Sequence, residues 1–118
     1  MKILDYLLIS NNINLLKSPK PEAQLEININ YKFETYKNVE NETPVMVSLN
    51  ISITNEKEEI LNGMIKYLLS ISDIIDDNNI LEQFIIDSLK IEFNSNINSF
   101  LVKAKIPPLP IEAMVNHS

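Results

Sequence analysis

The side chains able to do chemistry in this 118-residue chain are few and poorly placed for it. His117 is the sole imidazole and stands one residue from the end of the sequence, where the held geometry that proton transfer requires is rarely available. There is no cysteine, so thiolate nucleophiles, disulfides and cysteine-based zinc sites are excluded, and no Ser-His or Cys-His pairing is available. Asp73, Asp76 and Asp77 are ligand types for a hard cation, but they lack the alternate-residue oxygens and the glycine of a calcium loop. They stand where a helix begins, and carboxylates there are favoured by the helix macrodipole without any metal. Glu56, Glu58 and Glu59 make a weaker set in an exposed turn. Gly63 is the single glycine, which excludes a phosphate-cradling glycine loop; inside a strand it points to a bulge or a close backbone approach. The expectation is a protein that is not an enzyme and uses neither cofactor nor metal.

Composition narrows the partners. The net charge is −6 and arginine is absent, so sequence-independent nucleic-acid binding, which rests on Lys and Arg neutralising phosphates, is not expected. An acidic surface suits solubility or a basic partner segment. The hydrophobic fraction of 45% fits a globular chain and argues against disorder. No stretch approaches the roughly 20 apolar residues that span a bilayer. Asp5 interrupts the apolar start where a secretory signal would continue, so a cytoplasmic location is expected.

The elements that would position any site read as strands followed by one helix, in a single domain over 1–118. Residues 3–16 are apolar-rich, with Ile9, Ile13 and Leu15 on one alternating face, although residues 3–10 also fit a helix. Pro19 and Pro21 then break the chain. Over 24–36, Leu25, Ile27, Ile29, Tyr31 and Phe33 alternate with Glu26, Asn28, Asn30, Lys32 and Glu34, the pattern of a strand with one wet face. Residues 37–43 are polar and read as a loop. Val45, Val47, Leu49, Ile51 and Ile53 repeat the alternation over 44–55, and a charged turn leads to a fourth strand over 59–72. That strand is apolar on both faces at Tyr67, Leu68 and Leu69, which predicts a central strand or one covered by a partner.

A helix is predicted over 79–102. Asn79 with Glu82 fits a reciprocal cap, and Leu81, Ile85, Leu89, Phe93, Ile97 and Leu101 recur every fourth residue. Pro107, Pro108 and Pro110 end it in an extended apolar tail over 103–115. The result is more apolar surface than one small domain hides, which points to binding other polypeptides.

This order of elements resembles the SecB protein-export chaperones. The resemblance is carried by Leu49 to Thr54, by Asn79-Ile80-Leu81 opening the long helix, by the tail Ile106-Pro107-Pro108-Leu109-Pro110-Ile111 and by Asn12 to Leu15 before the proline loop. It implies an α+β fold in which a four-stranded antiparallel sheet carries one long C-terminal helix packed on it. It also implies subunits that pair and then form a dimer of dimers through their helices, a homo-oligomer of dimer or tetramer size. Such proteins hold unfolded preproteins in apolar grooves without nucleotide and pass them to SecA; relatives beside toxin–antitoxin pairs protect an antitoxin. Glu58 and Glu59 correspond to acids that meet SecA, and Leu15 and Leu16 to its first-strand contacts. The charged loop from Lys17 to Pro21, a short link from Ile71 to Asn78 and an end soon after Met114 depart from the family and weigh against handover to SecA, but not against holding a client.

The functional expectation is therefore an ATP-independent holdase for unfolded polypeptides. Phe84, Phe93, Ile106 and Leu109 are its candidate client-binding residues, and Glu58 and Glu59 its partner-binding acids. The alternative is an oligomeric interaction module of the same fold with one fixed partner. A ligand pocket between helix and sheet, around Tyr31 and Tyr67, is the third reading.

Overall fold

The computed structural model describes residues 1–17 and 25–103. Strands β1 (Lys2–Leu15), β2 (Leu25–Thr35), β3 (Glu42–Asn55) and β4 (Glu58–Ser72) precede one helix, α1 (Asn78–Lys103). All strand pairs are antiparallel and the sheet order is β1-β4-β3-β2. The strand read as apolar on both faces, β4, is central, and β1 and β2 are the two edges. The predicted fold class, a four-stranded antiparallel sheet with a long C-terminal helix, is the one formed.

Side-chain period sets the two faces of the sheet. Odd-numbered residues of β2 and β3 face α1: Ile29, Val45, Val47, Leu49, Ile51 and Ile53 are all buried. From β4 the same face takes Ile65, Tyr67, Leu69 and Ile71, and the helix answers with Leu81, Ile85, Leu89, Phe93, Ile97 and Leu101. The four-residue recurrence seen in the sequence is thus the core stripe of α1. The opposite face is polar over most of its area, with Asn28, Asn30, Asn50, Asn62, Asn12 and Asn14 in neighbouring cross-strand positions.

Two connections are tighter than the sequence suggests. The supposed loop over 37–43 contains a two-residue turn at Glu40 and Asn41, and β3 begins at Glu42. The second turn is Glu56-Lys57, between the paired Asn55 and Glu58. Both turns hold their central residues at positive φ, the geometry that matches the twist of the flanking strands. The helix cap also differs from expectation. Asp77, not Asn79, closes the N-terminus, its Oδ1 accepting from the amides of Asn79 at 3.0 Å and Ile80 at 3.2 Å. A carboxylate satisfies two orphan amides there and sits in the favourable field of the helix end.

Strand β1 is the irregular one, and it is a strand throughout rather than a helix over 3–10. Its pairing with β4 slips between Ile3 and Asp5 and again between Leu8 and Ser10. Each slip is one extra residue, Leu4 and then Ile9, which resets the alternation of faces. Ile13 and Leu15 share the helix side, as their spacing suggests, but Ile9 sits on the bulge between phases. Gly63, opposite Ile13, permits a close approach: a Cβ there would stand 2.7 Å from the Ile13 Cα and 2.8 Å from the Asn12 carbonyl oxygen.

Candidate polypeptide-binding surface

Because α1 crosses the sheet, it cannot cover all four strands equally. Phe93 plugs the centre, with ring centroids 5.1 Å from Tyr67 on β4 and 6.1 Å from Tyr31 on β2. Tyr31 in turn stacks on Phe33, 6.2 Å away. This cover reaches the β2 edge, where Leu25, Ile27, Tyr31 and Phe33 all pack against the core. Burial raises the Tyr31 phenol to about 12.

The other side of α1 is different. Tyr6, Leu8 and Leu15 pair with Leu69, Tyr67 and Leu61 and so lie on the helix side of β1. Yet Tyr6 is 44% exposed and Leu8 42%. Between the start of β1 and the helix lies a cleft of about 270 Å³ lined by Ile3, Leu4, Asp5, Tyr6, Ser88 and Leu89. Tyr6 leans over Tyr67 at 6.4 Å and forms its wall. Further along, the Asn96 amide donates to the Tyr67 hydroxyl at 2.8 Å, and Asn11 donates to the Asn96 carbonyl oxygen at 3.1 Å. This chain of amides ties helix to strand at one level. The Tyr67 phenol is raised by burial, an effect only partly offset by the Asn96 donor.

Among the described residues, the result is a strip of apolar side chains along a strand edge with no pairing partner, with a hydrogen-bonding backbone beside it. Such an edge offers what an extended polypeptide needs: main-chain partners in register and shallow pockets for alternate side chains. The outer line of α1 adds Ile80, Ile91 and Val102, exposed and spaced so that three helical turns separate neighbours.

The residues anticipated from the sequence fall in different places. Phe93 is 3% exposed and belongs to the core between helix and sheet. Phe84 is half-buried against the same core. Ile106 and Leu109 lie outside the described residues. Glu58 pairs with Lys17, and Glu59 accepts from Asn62 at 2.7 Å and Ser52 at 2.9 Å. Those two donors, Asn62 first, lower the Glu59 carboxyl below its usual range. Of the strip on β1, only Leu15 is anticipated, as a first-strand contact to SecA; Tyr6 and Leu8 are not. Its sequence signal was the nearly unbroken apolar run from Ile3 to Ile9, which no single wet face explains. Among the described residues, no group of three acids or histidines is placed to hold a metal ion, and no helix is long and apolar enough to cross a membrane.

No protein-family model matches the sequence, and no curated protein matches it either. Solved structures do. The chain superposes on the Rv1957 SecB-like chaperone of Mycobacterium tuberculosis, solved with a ChAD peptide from the Rv1956 HigA1 antitoxin, with a TM-score of 0.74. The match covers 98% of this chain and 91% of that one at 15% sequence identity. Strand order, helix placement and this superposition agree that the chain has the SecB-like fold.

Proposed function

We propose that this protein is an ATP-independent holdase that binds extended, unfolded segments of other polypeptides. The observation that carries this reading is the exposed apolar strip of Tyr6, Leu8 and Leu15 beside α1, on a fold whose SecB-like neighbour holds an antitoxin peptide. A client would lie along β1 and place alternate side chains in the cleft at Ile3, Tyr6 and Leu89. Each well-buried apolar side chain contributes roughly 1.5–3 kcal/mol, so two or three of them supply about 3–9 kcal/mol before the cost of ordering the segment, which makes a single site weaker than micromolar. Copies of the chain associate in this reading, since the exposed Ile80, Ile91 and Val102 line suits another helix, and several linked sites raise avidity. In this reading Phe93 sets the helix on the sheet, and Phe84, Ile106 and Leu109 remain further candidates for client contact. Glu58 and Glu59 face a basic partner segment. The setting is the cytoplasm, and no catalytic step is involved.

The test is aggregation of a chemically unfolded substrate on dilution. Stoichiometric wild-type protein should slow it without nucleotide, and no protection at any ratio would refute the holdase.

The same apolar surface also favours a second reading, a module whose strip is sealed entirely by one fixed partner or sister subunits. Dye binding to the assembled protein separates the two. A holdase keeps accessible apolar surface after assembly, and a sealed module does not.

A further inference from the structure

The single glycine of the chain follows an asparagine, and the pair Asn62-Gly63 lies inside the central strand β4. In such a pair the main chain can attack its own side chain, because no Cβ shields the glycine nitrogen. The sheet requires that glycine. A Cβ at position 63 would stand 2.7 Å from the Ile13 Cα, so the reactive pair follows from how closely β1 approaches β4. The neighbouring Asn12, Asn14 and Asn50 precede Ile13, Leu15 and Ile51, whose bulk hinders the same attack. Asn94 and Asn98 on α1 precede serines and come next in order.

Burial does not protect the Asn62 amide. It is half-buried in a shallow polar hollow of about 410 Å³, shared with Asn12, Asn50 and Met64. What protects it is the way both partners are engaged. Gly63 pairs in register with Ile13 on one side and Ile51 on the other, and an amide inside a central strand is given to a neighbouring carbonyl. The side chain is tied as well. Its Nδ2 donates to Glu59 Oε1 at 2.7 Å, and its Oδ1 accepts from Asn14 Nδ2 at 3.5 Å.

We propose that Asn62-Gly63 is a spontaneous deamidation site: the sheet holds it shut, opening of β4 releases it, and its products keep the strand from closing as firmly. The Gly63 nitrogen gives up its proton to water and bonds to the Asn62 Cγ; the Cγ–Nδ2 bond breaks and ammonia leaves. Water then opens the cyclic imide at either carbonyl, leaving aspartate or isoaspartate, with no oxidant or cofactor consumed. Aspartate sets a second carboxylate against Glu59 where an amide donor stood. Isoaspartate adds a carbon to the main chain and throws β4 out of step with β1 and β3. A passing excursion of the central strand thus becomes a lasting one, whatever the client strip does.

The full chain would be aged in mildly alkaline buffer with and without denaturant, and its peptides mapped by mass and isoaspartate content. In denaturant Asn62 should react first, ahead of Asn94 and Asn98, and Gly63→Ala should slow it about tenfold. In native buffer it should react at least about a hundredfold more slowly, at the rate that opening of β4 allows. Asn62→Asp, which installs one product in advance, should lower the denaturation midpoint at neutral pH. That deficit should shrink in acid, as the facing carboxylates take up protons and their repulsion disappears. Similar rates in the folded and unfolded chain, earlier reaction at another asparagine in denaturant, or an unchanged midpoint for Asn62→Asp would each overturn the proposal.

Discussion

The two edges of this sheet solve the same problem in opposite ways. An edge strand presents unpaired amides and carbonyls, and proteins guard such rows with charge, short length or twist. Strand β2 follows that practice. Its outer face carries Glu26, Lys32 and Glu34, and its inner face is folded under α1 by the Tyr31, Phe33 and Phe93 rings. Strand β1 is longer, leaves Tyr6 and Leu8 uncovered on one face and Leu7 on the other, and carries only Lys2 and Asp5 as charges. Its two bulges re-aim side chains without closing the edge. That contrast between a guarded edge and an unguarded one is why the proposed client site is placed on β1.

The largest expected effect comes from removing what makes the edges unequal. Phe93→Ala takes the plug from between Tyr31 and Tyr67 and should cost about 3–5 kcal/mol in denaturant unfolding. It should also raise dye binding, because the β2 side loses its cover and comes to resemble β1. If dye binding stays at the wild-type level, the cover on β2 does not come from this ring.

Gly63→Ala strikes β1 alone. The added methyl meets the backbone of Asn12 and Ile13, which cannot swing aside as a side chain tip would. A loss of about 2–3 kcal/mol is expected, with faster amide exchange in β1 and little change in β2. Equal loosening of both edges would contradict the asymmetry.

A smaller effect, on binding rather than folding, is expected from charge on the strip. Tyr6→Lys or Leu8→Lys should weaken client binding about tenfold. Unfolding should change by less than about 1 kcal/mol, because both side chains are already substantially exposed. Glu34→Lys on the guarded edge should leave client binding unchanged. Parity between the two edges would break the comparison.

The smallest effect appears only in alkali. The folded Tyr31 phenol ionises near 12, above the usual value near 10 that it recovers on unfolding. Its contribution to stability is thus complete below about pH 10 and is lost as pH rises through about 12. Absorbance titration should show a phenolate appearing late, and Phe93→Ala should bring it earlier.

Much of the fold could be read from the sequence because strict alternation and four-residue recurrence leave little choice. Leu25 to Phe33 could only be a strand with one wet face, and Leu81 to Leu101 only a core-facing helix. What local pattern does not contain is strand order. Whether an apolar strand lies in the middle or at an edge depends on pairing, so the run from Ile3 to Ile9 carries no sign of its own that it is an edge. The bulges at Leu4 and Ile9 hid it further by shifting the phase of alternation, which kept helix open as a reading of residues 3–10. As an aromatic on a wide apolar helix Phe93 reads as a client contact, but its position in the four-residue recurrence is that of a core residue, and the core is where it lies. Asn79 and Glu82 have the spacing of a reciprocal cap, but spacing does not show where the helix begins, and Asp77 is the residue that meets the first free amides.

The central claim is that an extended foreign chain lies on the helix side of β1. Photo-crosslinking tests it most directly, with a benzophenone side chain placed at position 8 in one variant and at position 32 in another. Each variant would be mixed with the same unfolded substrate and irradiated. The account predicts abundant adducts from the Leu8 site and few from the Lys32 site. Adducts from Lys32 alone, or equal yields from both, would contradict it.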